Sequence, residues 1–197
     1  MEKIRQLFVT FLCTILGACA TSFKIVEPDQ TTGMYKSRGV VNDSQLIEYK
    51  TFPKLSESKY VYLKAKSDFQ NAKFQNYMDK FVKSLGFDMV MNEENLSIYV
   101  VEKGLTEQVT SVSDFIGLSR LAKIDGQFIY IDTSINSLNS SGCCVFVFNF
   151  KVYDRVSRVK YLDISRRNLS KVNFDKEIIY PVLNKVKEWK IDSAVNR

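Results

Sequence analysis

No histidine occurs in the 197 residues, and that absence removes a whole tier of chemistry. A Ser-His-Asp or Cys-His nucleophile cannot be assembled, imidazole is not available as a metal ligand, and the ordinary neutral-pH proton shuttle is missing. Glycine and proline are scarce, at 8 and 3 residues, which excludes a collagen-like or low-complexity chain. There is no G-x-S-x-G elbow, Gly-rich phosphate loop, C-x-x-C pair or acidic metal loop. The sequence therefore points to no enzyme, no metal and no cofactor, and no catalytic residue is assigned. What is present, 45% apolar and 25% charged residues, is the composition of a globular chain, and the length suits a single domain.

Long hydrophobic runs are also missing, with one short exception. Residues 1–6 carry Lys3 and Arg5 against Glu2, and residues 7–16 (LFVTFLCTIL) follow without a charge. Ten residues of helix span about 15 Å, half of a hydrocarbon core of roughly 30 Å, so this stretch reads as a signal-peptide core and not a membrane span. Leu16-Gly17-Ala18-Cys19 comes next. It resembles the lipobox of bacterial lipoproteins, in which the cysteine receives a diacylglyceryl group and the preceding segment is removed. The resemblance implies cleavage between Ala18 and Cys19 and lipidation of Cys19. In Gram-negative members an Asp after that cysteine retains the protein at the inner membrane. Ala20 stands there instead, which implies the outer membrane, with the domain facing the periplasm. The competing reading is an ordinary cleaved signal peptide that happens to hold a cysteine. The expected organisation is a signal peptide over 1–18, a lipidated cysteine and flexible tether over 19–45, and a globular domain over 46–197.

Four cysteines are then sorted by position. Cys13 leaves with the signal peptide, Cys19 becomes the anchor, and Cys143 and Cys144 remain side by side. On a strand their side chains point to opposite faces and cannot readily bond to each other. They read as small apolar residues of a buried strand, with an intermolecular or regulatory disulfide as the alternative in an oxidising compartment. Two thiols without histidine are too few for structural zinc.

Removing residues 1–18 takes away Lys3, Arg5 and Glu2 and leaves 26 basic and 21 acidic side chains. Residues 151–171 hold seven positive charges and two negative ones, so this segment equals the whole excess of +5. Arg155, Arg158, Arg166 and Arg167 are its candidate contacts to an anionic partner, because guanidinium grips phosphate or carboxylate through paired hydrogen bonds. Arg166 and Arg167 are expected in a loop near the same end of the sheet as Arg155 and Arg158. The plainer reading is a solvated hairpin face. Nucleic acid is not expected as a partner, since no aromatic binding signature accompanies the charge and the address is extracytoplasmic.

Periodicity supplies the elements. Strands are expected at 46–52 and 60–65, followed by a helix over 69–85 with Phe74, Tyr77, Met78, Phe81, Val82 and Leu85 on one face and Gly86 as its stop. Residues 87–91 and 96–101 read as a hairpin. A helix over 112–123, with Phe115, Ile116, Leu118 and Leu121 as its apolar face, leads to a strand over 127–135 and a polar loop over 136–142. The strongest strand covers 143–153, where Phe146, Phe148 and Phe150 alternate. A return strand over 158–164 precedes a C-terminal helix capped by Asn173, in which Pro181 either kinks the helix or begins it. This order predicts an α/β (α+β) sandwich, a mixed β-sheet covered by about three helices. Asp132 and Asp154 fall near strand ends, where an acid–base pair could form but turn caps are commoner. Tyr153 and Tyr161 flank the basic hairpin.

Lys80 to Phe87 (KFVKSLGF), Asn95 to Val101 (NLSIYVV) and the hairpin over 145–160 resemble segments of small outer-membrane lipoproteins of unassigned activity. A related layout occurs in the curli-secretion lipoprotein and the TolB amino-terminal domain. Val159-Lys160-Tyr161-Leu162 replaces the Trp and Gly common in the return strand, and no amphipathic strand pair suited to a pore is present. The resemblance implies the fold more than the function; the leading functional reading is a non-enzymatic protein held to the membrane by its N-terminal lipid, binding an envelope protein, peptidoglycan or lipopolysaccharide. The alternatives are an accessory or regulatory lipoprotein of a peptidoglycan-synthesis, secretion or conjugation assembly, and an undetected cell-wall enzyme.

Overall fold

The computed structural model describes residues 26–50, 60–68, 70–87, 89–126, 128–140, 143–155, 157–168 and 174–195. Ala18, Cys13, Cys19, Asn173 and the side chains of Cys143 and Cys144 lie outside that description. Six strands form one mixed sheet: β1 (Leu46–Tyr49), β2 (Val61–Ser67), β3 (Val90–Met91), β4 (Ile129–Ser140), β5 (Cys143–Asp154) and β6 (Lys160–Asn168). Their order is β1-β6-β5-β4-β2-β3. β2 runs parallel to β3 and β4, while the β4–β5, β5–β6 and β1–β6 pairs are antiparallel. Four helices cover the sheet: α1 (Asn71–Ser84), α2 (Glu93–Glu102), α3 (Phe115–Asp125) and α4 (Tyr180–Val195). The fold is a single α+β domain.

The two faces of the sheet carry separate cores. On one face Phe146, Phe148, Phe150 and Val152 of β5 meet Phe74, Met78, Phe81 and Val82 of α1 and Val182, Leu183, Val186 and Trp189 of α4. On the other, Tyr62 and Tyr130 meet Leu96 and Val100 of α2 and Leu118, Leu121 and Ala122 of α3. Gly86, at φ +88°, ends α1 in a conformation that side chains disfavour. Gly117 allows a close approach, because a Cβ there would lie 1.5 Å from the Ser111 carbonyl oxygen.

Helix α2 replaces the second strand expected over 96–101, and only Val90–Met91 of the first pairs in the sheet. The β-branched and aromatic run Ile98-Tyr99-Val100-Val101 favours a strand locally. Two features override it. Asn92 accepts a bond from the Asn95 amide at 2.8 Å, with Glu93 and Glu94 in the first turn, and Leu96 and Val100 sit one turn apart in the core. Ile98 and Val101 are left exposed. On α3 the buried face is Gly117, Leu118, Leu121 and Ala122, whereas Phe115 and Ile116 point outward. The Ser/Asn-rich stretch expected as a loop extends β4 to Ser140, paired residue for residue with β5.

The expected tether ends earlier than residue 45. Tyr35 is buried, stacks on Tyr180 at 5.0 Å, and exchanges backbone bonds with the Asn184 side chain at 2.7 and 2.9 Å. Lys187 Nζ donates to the Gly33 carbonyl. Residues 33–45 thus form a strap over α4, the turn before it and β6, anchored by one buried aromatic ring that polar surroundings in the sequence concealed.

Phe81 and Phe148 are at most 2% exposed. Phe81→Ala and Phe148→Ala should each lower unfolding stability by about 3–5 kcal/mol, measurable by chemical denaturation.

Candidate functional site

The β5–β6 turn brings Arg155 and Arg158 together, both over the Phe115 ring at 4.8 and 4.5 Å. They differ in everything else. Arg155 is only 8% exposed, and its guanidinium also lies over Tyr130 at 4.3 Å and Tyr153 at 5.6 Å. Burial pushes its pKa down, and the aromatic faces compensate through their negative quadrupole. Arg158 is exposed in a left-handed conformation at φ +58°.

Arg166 and Arg167 lie on β6, not in a loop beside that turn. Six residues separate Arg166 from Lys160, about 20 Å along a strand. Arg166 has a structural task. Pro181 lacks the amide that would bond to the Glu177 carbonyl in an α-helix, and a π-turn over Asp175–Ile179 precedes it. Arg166 Nε donates to that carbonyl at 2.6 Å, and the Arg38 amide takes the neighbouring Lys176 carbonyl at 2.7 Å. Arg166 Nη1 also reaches the Val40 carbonyl at 2.5 Å and Gln45 Oε1 at 3.2 Å. One guanidinium therefore joins β6, the start of α4 and the strap. Arg167 is exposed, opposite Val147.

Other charges of the basic segment are met nearby. Asp163, 2% exposed, accepts from Lys160 at 2.7 Å and lies 3.9 Å from Lys151. This bond holds the Lys160 ammonium above its ordinary range. Asp132 is paired in register with Lys151 and Asp154 with Ile129, which puts the two carboxylates on opposite faces of β4 and β5. They form no acid–base pair. Asp154 accepts from the Ser157 hydroxyl at 2.6 Å within the turn.

Sequence reasoning did not anticipate the tyrosine row of the second face. Tyr62 stacks on Tyr130 at 5.3 Å and Tyr130 on Tyr153 at 5.6 Å, across three neighbouring strands. Burial raises all three phenols, with Tyr62 pushed up to about 12.

A cleft of about 780 Å³ opens beside the other end of that row. Its floor is β2 from Tyr62 to Ser67, one wall is α1 through Asn71, Gln75 and Asn76, and the other is the start of α2 through Asn92, Glu93 and Asn95. The sheet creates it. β3 pairs with β2 only at Val61 and Tyr62, and among the described residues no strand continues that edge toward Ser67. Gln75 Nε2 donates to the Ala65 carbonyl at 3.3 Å, and the Ser67 amide donates to Asn71 Oδ1 at 2.9 Å. Among the described residues no group of three or more acidic or cysteine side chains is arranged to hold a metal. The shortness of β3 was the hidden signal, since a strand was expected over the whole of 87–91.

No family model matches the chain, and no curated protein matches it. Among solved structures it is similar to the LpoB C-terminal domain from Salmonella enterica, at 12% identity over 57% of this chain and 84% of that one, with a TM-score of 0.32. It is also similar to Lipoprotein GNA1162 from Neisseria meningitidis, at 13% identity over 70% of this chain and 99% of that one, with a TM-score of 0.34.

Two outcomes follow from the site. Arg166→Ala should cost about 2–3 kcal/mol because it removes the bonds that tie the Glu177 and Val40 carbonyls and Gln45 to β6, whereas Arg167→Ala should leave stability within about 0.5 kcal/mol, both read from urea midpoints. The phenol of Tyr62, raised in the folded state from 10.0 to about 12, adds stability that is complete below pH 10 and is lost as pH rises through about 12. Absorbance at 295 nm should therefore show phenolate appearing together with loss of circular dichroism above pH 10.

Proposed function

We propose that this chain is a non-enzymatic, lipid-anchored protein of the bacterial cell envelope whose α+β domain binds another envelope component. The observation that carries the reading is the order at the N-terminus: a basic start, ten uncharged residues, then Leu16-Gly17-Ala18-Cys19. Acyl chains on Cys19 contribute about 0.8 kcal/mol per buried methylene, and more than one chain makes release negligible. Ala20 directs the lipidated protein to the outer membrane, with the domain in the periplasm. The strap supports a short leash. Gly33, 14 residues after Cys19, is already tied to α4 through Lys187, so that tie lies within about 50 Å of extended chain from the anchor. Arg158 and Arg167, the two exposed members of the arginine set, remain available to anionic groups at that surface.

Cys19→Ser should abolish incorporation of labelled palmitate and move the protein from the membrane fraction to the soluble periplasm. Cys13→Ser should change neither. Membrane fractionation of the Cys19→Ser protein without a lipid label would overturn the reading.

A further inference from the structure

The open edge of β2 carries the next step, which rests on the reading of this domain as a binding module. We infer that the cleft receives an extended polypeptide segment of a partner protein, which pairs with β2 from Leu63 to Ser67 as an added strand. Four observations support this occupant.

First, the vacant position is strand-shaped. β3 stops opposite Tyr62, and five residues of β2 continue beyond it, about 17 Å of edge. Alternate residues of a strand turn their amide and carbonyl groups to the same side. The Ala65 carbonyl and Ser67 amide face this edge, and so do the corresponding groups of Leu63.

Second, amides already occupy part of the edge. Gln75 gives the Ala65 carbonyl a donor and Asn71 gives the Ser67 amide an acceptor. These side-chain groups have the same chemistry as a peptide bond, at positions an incoming backbone would use. Both residues are exposed on α1, so their side chains can swing aside.

Third, the lining is neutral. Lys64, Lys66 and Lys83 are balanced by Asp68, Asp79 and Glu93, and Lys83 is bonded to Asp79 at 2.7 Å. Such a balance gives no advantage to phosphate-rich lipopolysaccharide, which would need an excess of positive charge. It suits an uncharged backbone.

Fourth, Tyr62 borders the cleft at the point where β3 stops, so an added strand would enter beside a buried aromatic ring. Lys64 and Lys66 on the edge strand meanwhile discourage indiscriminate pairing between copies of the chain. Recognition by strand addition takes its affinity from main-chain bonds and its selectivity from alternate side chains.

The test selects short displayed peptides against the full acylated chain in detergent, with purified sacculi and lipopolysaccharide as parallel probes. A selected peptide is then N-methylated one bond at a time. Strand addition predicts that alternate methylations weaken binding about tenfold each, while the intervening ones have little effect. Ala72→Trp places a large ring at an exposed α1 position on the cleft wall and should weaken the peptide by at least about tenfold with an unchanged melting temperature. Gln75→Ala, which uncovers the Ala65 carbonyl, should strengthen it. A flat methylation profile, or binding indifferent to Ala72→Trp, overturns the inference. Binding to sacculi or lipopolysaccharide but to no peptide overturns it too, while leaving the broader binding reading intact. Binding to none of the three removes both.

Discussion

Three phenylalanines at alternate positions of β5 each meet one ring delivered by another element. Phe148 meets Phe74 and Phe150 meets Phe81, both edge-on at 6.2 and 6.0 Å, and Phe146 meets Phe174 at 4.8 Å. The first two partners stand seven residues apart on α1, two helical turns, so one strand period of two residues is matched to two turns of helix. This register sets how α1 lies on the sheet. It also sets the cleft, because α1 leaves its N-terminal half standing beside the free edge of β2. Phe174, just before α4, fixes the C-terminal helix to the same strand, and the strap then lies across that helix.

Elements with one dominant period were readable in the sequence. The alternation of Phe146, Phe148 and Phe150 announced β5, and the spacing of Phe74, Tyr77, Met78 and Phe81 announced α1. Segments in which local preference opposes tertiary burial were not. Ile98-Tyr99-Val100-Val101 prefers a strand yet lies in α2, because its cap and two buried positions outweigh a weak propensity. Tyr35 looked like one aromatic residue in a polar leader, and only the folded chain brings Asn184 and Tyr180 to it. Pro181 was recognised as a boundary, but its consequence was not, since the donor that satisfies Glu177 comes from β6.

The arginines show why charge counting reads a segment better than it reads a residue. The net charge of residues 151–171 is a property of the chain and needs no structure. What each guanidinium touches depends on partners far away in sequence: Phe115 and Tyr130 for Arg155, Val40 and Glu177 for Arg166. Two of the four arginines are therefore part of the packing, and the lysines beside them share a buried Asp163. The positive surface left for a partner is smaller than the composition suggests, and Arg158 and Arg167 stand at different ends of β6. The neutral, amide-lined cleft at the β2 edge is the better-formed recess.

The strap also decides how mechanical load would enter the domain. Under the proposed anchor at Cys19, tension would enter the domain from its N-terminal side. Without the strap the pull would reach β1 first, a four-residue edge strand that could be peeled from β6 one bond at a time. Tyr35 against Tyr180, its paired bonds to Asn184, and the Arg166 bridge to Val40 intercept the pull earlier. The force then has to break several contacts together along α4 and β6. A grip loaded in parallel resists far more tension than one loaded in sequence, so a pull from the N-terminal side would not unravel the domain from the sheet edge.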